Sequence, residues 1–178
     1  MDGATIDNSK TQHVSRWLTL VRLMLIGLWI GAAIYFSFGV APSVFKELPS
    51  RELAGAVVQR TLALINLGGF FIGVLALLLR LISRRSSTAF RFGAELFALV
   101  VLTVATAVGH WVIAARMHAL KLQIGVPIDL VPLTSPIRAS FNQWHGYSVM
   151  VLTVAMVAAL AAWLLAAGNT RIPSSRSN

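Results

Sequence analysis

Glu95, His110, His118 and His145 are the side chains whose types and spacing could carry chemistry in this sequence. Glu95 is the one acid inside four long apolar stretches, where an ionisable group is costly and therefore a candidate for function. At 100° per residue, Glu95, Thr103, Thr106 and His110 share an arc of about 80° on one helix, a polar stripe expected to face other helices rather than lipid. The plainer reading pairs Glu95 with Arg91, four residues earlier, near the end of that helix. His110 and His145 are expected at similar depth on neighbouring antiparallel helices, with His118 just beyond. Met117, Trp144 and Tyr147 fall beside them. Neutral imidazole ligates transition metals and haem and relays protons, so three readings stay open: a metal or proton site, axial haem ligation by His110 and His145, or hydrogen bonding between helices. No HxxxH or ExxH spacing selects the metal. Any cofactor is unassigned.

Other chemistries are excluded or unsupported by the residues. There is no cysteine, which removes disulfides, thiolate metal sites, iron–sulfur clusters and cysteine nucleophiles. Paired carboxylates and a phosphate-cradling glycine loop are missing, and no sizeable polar domain accompanies the apolar stretches, so the expectation is a protein that is not an enzyme. Three functions are weighed: a small transport or export component for a metal, cation or drug-like solute, entered through a mouth lined by His110, His118 and His145; a haem-binding redox or haem-handling protein; and a structural partner of another membrane protein.

The elements that must position these residues are helices made for lipid. Of 178 residues, 57% are apolar and 12% charged, and the mean hydropathy is +0.76, far from a soluble domain. The formal charge of +9 is scattered in ones and twos at the margins of apolar runs, a pattern of membrane flanks that does not call for nucleic acid. Since about 20 helical residues cross the hydrocarbon, the sequence predicts an all-α, four-helix transmembrane bundle in contact with the lipid bilayer. Spans are expected at about 17–41, 60–82, 92–115 and 140–167 within a membrane domain 17–168, between polar tails 1–16 and 169–178. The N-terminal segment has no early basic region leading into a short apolar core, so the first helix is expected to be retained rather than cleaved. Four spans put both termini on one side. That side carries nine basic residues against six, with the densest cluster in RLISRRSSTAFR, and the positive-inside rule predicts cytoplasmic termini, in the inner membrane if the source is bacterial.

The connections differ. Pro42 and Pro49 are expected to break the helix after the first span, with Ser50 capping a new helix whose first turn holds Glu52. The segment KLQIGVPIDLVPLTSPIRA, with three prolines and Gly125, is expected to form an ordered, non-helical loop over the outer face. Gly27/Gly31 and Gly69/Gly73 form small-xxx-small pairs, read as contacts inside the bundle or as the seam of a homo-oligomer. A protein partner is not identified.

The run GVAPSVFKELPSRELAGAVVQR, followed by ARMHALK and by FNQWHGYSVMVL, resembles the transmembrane protein 205-like family, a four-helix membrane domain of uncharacterised function. These pieces extend from about Trp29 to Leu160. The resemblance implies four spans and a membrane location, and it draws attention to Pro42, Phe45, Ala54, Gly55, Arg116, His118, His145 and Gly146, which match the family pattern. It implies no substrate.

Overall fold

The computed structural model describes residues 3–83, 88–132 and 134–168, with side chains described from Val14 onward. The expected C-terminal tail, together with Arg84 and Arg85 of the basic cluster, lies outside the described residues. Among the described residues four helices are long and apolar enough to cross a membrane: Val14–Glu47, Arg51–Ile82, Ala89–Ile124 and Pro136–Ala167. The first begins as helix at Gly3, so much of the expected N-terminal polar tail is helical. Each helix packs on its chain neighbour, and the first closes on the fourth, in an antiparallel ring. One end of the bundle carries the beginning of the first helix and the end of the fourth; this is called the terminal end, and the opposite end distal.

Close approach is achieved by small residues and indole hydrogen bonds, because lipid offers helices little hydrophobic reason to associate. Trp29 Nε1 donates to the Ile65 carbonyl at 2.9 Å, joining the first and second helices. Trp163 Nε1 donates to the Leu23 carbonyl at 3.1 Å, joining the fourth to the first. Gly69 and Gly73 are buried. A Cβ at Gly69 would lie 2.7 Å from both Thr106 and the Trp29 ring, and one at Gly73 would run into Thr103. This glycine pair therefore seats the second helix against the first and third, within one chain. Gly27 faces Trp163, whereas Gly31 has open space around it. The surfaces left outside the ring are apolar, with Met24, Leu28, Phe38, Leu64 and Phe97 all exposed, as a lipid-facing belt requires.

Two features depart from expectation. Pro42 does not break the first helix: the backbone takes a π turn over Phe36–Val40 and resumes as α-helix over Ala41–Glu47. Proline removes an N–H and crowds the carbonyl one turn earlier, and a wider turn just before it absorbs both demands. The true break comes at Pro49. Beyond it, as expected, Ser50 caps the second helix: its Oγ accepts from Leu53 N at 3.1 Å, and the helix starts at Arg51 with Glu52 in its first turn. Ser50→Ala should lower stability by about 1 kcal/mol, the usual worth of such a cap, read as a lower unfolding midpoint in detergent. The third helix also contains a π turn, Val108–Ile113, and runs on to Ile124, where Gly125 at φ 64° ends it. The following loop is not wholly irregular, since Ile128–Leu130 makes a 3-10 turn.

Candidate functional site

The Glu95 carboxylate is 1% exposed and bridges two arginines from other helices. Arg22 Nη2 of the first helix lies 2.8 Å from Glu95 Oε1, and Arg80 Nε of the second lies 2.8 Å from Oε2. Arg80 also donates from Nη1 to the Ser83 carbonyl at 3.1 Å, and its guanidinium sits 4.4 Å from the centre of the Phe92 ring. The expected Glu95–Arg91 pair is not formed. Arg91 instead reaches Gly168, at the end of the fourth helix, where free carbonyls and the helix dipole favour a cation. Glu95 turns inward because the polar stripe of its helix faces the bundle, and Arg22 reaches it across the diagonal of the ring. Two cations and one anion are thus buried together, and Arg22 Nε and Nη1 have no hydrogen-bond partner among the described residues.

The rest of the stripe is occupied locally. Thr103 Oγ1 donates to the Leu99 carbonyl at 2.8 Å, and Thr106 Oγ1 donates to the Leu102 carbonyl at 2.8 Å. Their outer atoms fill the space opposite Gly73 and Gly69. With Ile26, Trp29, Leu99 and Leu102 buried around them, they form a packed layer between Glu95 and the distal half.

The three histidines have three different surroundings. His110, half-buried in the π turn, has Nδ1 3.1 Å from the Ala63 carbonyl of the second helix. A carbonyl only accepts, so Nδ1 carries the proton in this contact. His118 is exposed, eight residues further along, which at 1.5 Å per residue is about 12 Å. His145 is exposed on the fourth helix and lines a cavity that His110 does not. Among the described residues no three His, Cys, Asp or Glu side chains stand close enough together to hold a metal ion.

That cavity, about 550 Å³ in volume, lies in the distal half. Phe45 and the start of the second helix form one side of its mouth, and the 125–129 turn with Arg138 forms another. The 125–129 turn belongs to the loop expected over this end. Leu62, Ile113, Met117 and Phe141 supply apolar wall, and Gly55 lines it with nothing within 4 Å of a hypothetical Cβ. The deepest lining residues are Asn66, Gly109 and Ser148, each well over two helical turns from the distal end of its helix. Asn66 is only 4% exposed and packs against Gly109, whose missing Cβ would lie 2.8 Å from Asn66 Nδ2. Neither the Asn66 amide nor the Ser148 hydroxyl hydrogen-bonds another described side chain or backbone group. Sequence reasoning overlooked both, since an Asn or Ser in an apolar run has no periodic signature.

Charge gathers at the mouth. Arg51 and Asp129 approach to 3.9 Å on the surface, Glu52 is exposed beside them, and Lys121 Nζ donates to Gln59 Oε1 at 2.7 Å. Arg138 Nη1 donates to the Val131 carbonyl and so holds the loop to the fourth helix. Of the residues singled out by resemblance, Phe45 and Gly55 line this cavity, as does His145, and Ala54 is buried beside it. Pro42 and Gly146 are exposed, and Arg116 lies over the Trp144 ring at 5.9 Å, outside the cavity.

No curated protein and no solved structure matches the chain. A family described as a domain of unknown function, DUF4149, matches residues 24–126. The match takes in the Ala-Pro, Phe-Lys and Ala-Gly elements and Arg116–Lys121, and stops before Trp144–Gly146. It takes in most of the first helix and all of the second and third, with Glu95 and Arg80 of the buried bridge but not Arg22. Because it covers more than half of the sequence, this integral membrane chain belongs to the DUF4149 family.

Proposed function

We propose that this multi-pass membrane protein takes an organic solute of drug-like size into its distal cavity and serves as the binding component of a transport or export process, without catalysing a reaction. The carrying observation is the unpartnered Asn66 amide, 4% exposed at the base of a cavity of about 550 Å³. The amide faces the cavity, so a ligand with a carbonyl, hydroxyl or amide of its own can pair with it, whereas an apolar group in that place would strand it at a cost of about 1–3 kcal/mol. The volume lies within the ordinary range for small-molecule sites, and the lining, mostly apolar with a few polar groups, has their usual character. The basic-residue count supports cytoplasmic termini, so that the cavity opens on the outer face and the Glu95 layer closes the inner one. A relation to the transmembrane protein 205-like family is part of this reading, carried by the quoted motifs. The solute reading has more behind it than the metal one, since His145 is the only one of the three candidate histidines on the cavity wall.

Photolabelling in lipid nanodiscs with an adamantyl diazirine tests it. Labelling should concentrate on peptides containing Leu62, Met117 and Phe141, and Gly55→Phe, which fills the cavity from an open position, should suppress it at least severalfold. Uniform labelling that follows lipid-exposed residues such as Met24 and Leu64, indifferent to Gly55→Phe, would rule the reading out.

A further inference from the structure

The two ends of the cavity differ chemically, and that difference defines a ligand class. Five charged side chains line it: Arg51, Glu52, Lys121, Asp129 and Arg138, for a formal excess of one positive charge. Arg51 faces Asp129, and Glu52 is exposed on the first turn of its helix. The two cations set within the wall, Lys121 and Arg138, are half-buried; among the described residues their hydrogen bonds go to a neutral amide and a backbone carbonyl, and the Glu52 carboxylate acts on Lys121 through its charge rather than through such a bond. Arg138 makes one such bond out of five available donors. The base carries no charge, only the Asn66 amide and the Ser148 hydroxyl, each able to donate and accept. Lys121 is twelve residues from Gly109 and Arg138 ten from Ser148, so mouth and base are about 15–18 Å apart along the helices.

We propose, resting on the cavity reading above, that the site takes an anionic amphipath: a carboxylate or phosphate held at Lys121 and Arg138, an extended hydrocarbon along Leu62, Ile113 and Phe141, and an uncharged hydroxyl or carbonyl reaching Asn66 and Ser148. Arginine suits the head because its planar fork pairs oxyanions at two points. A plain alkyl tail would leave the Asn66 amide buried and unpartnered, and that penalty selects an oxygenated far end. A hydrocarbon advances about 1.3 Å per carbon, from bonds of about 1.5 Å projected on the chain axis. The span therefore corresponds to roughly a dozen carbons.

The experiment measures binding of radiolabelled 12-hydroxydodecanoate, dodecanoate and dodecane-1,12-diol to the full chain in phosphatidylcholine nanodiscs, against empty discs. The hydroxy acid should bind tightest, and the other two at least severalfold more weakly. Arg138→Gln and Lys121→Gln should each weaken the hydroxy acid about tenfold while leaving the diol unchanged, and Arg138→Lys should restore part of the loss. Asn66→Leu should bring the hydroxy acid down to the level of dodecanoate. Repeating the measurement in discs containing phosphatidylglycerol separates two sources of the anion: competition identifies a phospholipid headgroup at the mouth, and its absence identifies the free acid. Equal binding of acid and diol, blocked by Gly55→Phe but indifferent to Arg138→Gln and Lys121→Gln, overturns the anionic class and keeps the cavity. No saturable binding of any probe, or binding that Gly55→Phe does not change, overturns both.

Discussion

Glu95→Gln is expected to unfold the protein at a much lower denaturant concentration, with a loss of about 3–5 kcal/mol, the range found when one member of a buried ion network is removed. The carboxylate stands 2.8 Å from both Arg22 and Arg80, and all three side chains are no more than 3% exposed. Without its charge, two guanidiniums face one another in a medium that solvates neither, and each must find water or distort the helices to reach it. The three helices they join meet on the terminal half, so the loss should appear there first, as faster amide exchange around Leu99 and Leu102. A triple replacement of Arg22, Glu95 and Arg80 by Met, Leu and Met tests the cause. Apolar substitutes of similar size remove the desolvation cost together with the attraction, and the triple variant should be more stable than Glu95→Gln alone. A single variant as stable as the wild type would show that the bridge contributes little to stability.

The second large effect is steric. Gly73→Val should lower stability by about 1–3 kcal/mol or more, because its side chain would meet Thr103, whose Cα would lie 3.3 Å from the new Cβ, a neighbour that moves only with its helix. Gly69→Val should act similarly against Trp29 and Thr106, and should also strain the Trp29–Ile65 hydrogen bond. Gly31→Ala is the control: with nothing within 4 Å of its Cβ, it should be neutral or stabilise by up to about 1 kcal/mol through helix propensity. Thermal unfolding of the three variants in one detergent measures the contrast. Equal loss in all three would mean that helix flexibility, not contact, is what these glycines provide.

The DUF4149 match joins these observations to a family rather than to an activity. It covers Glu95 and Arg80 but not Arg22, which lies two residues before its start, and it covers Asn66 and Gly109 but not the fourth-helix wall of the cavity. The Glu95 bridge and the cavity are separated by the packed Trp29, Gly69 and Thr106 layer. Stability and binding can therefore be altered independently, which makes the variants above informative about one without disturbing the other.

By itself the sequence determined the solvent and the architecture. Four uncharged runs of sufficient length can satisfy their backbone in lipid only as helices, and the Ser50 cap is a local signal that any context would honour. The inward orientation of Glu95 and Thr106 was equally legible, because the stripe follows from helical periodicity alone. Tertiary structure decided the partners. Arg91 is nearest to Glu95 along the chain, yet Arg22 and Arg80 bind it, since their distance in sequence says nothing about which helices become neighbours. The histidines looked like one cluster because they gather at one end of the bundle, but His118 lies about 12 Å beyond His110 along the third helix, and of the three only His145 turns to the cavity wall. Pro42 was read as a break because a π turn, which relieves it, leaves no mark in composition. The cavity, with Asn66 at its base and cations at its mouth, exists only where four chain segments come together, and no single segment carries its pattern.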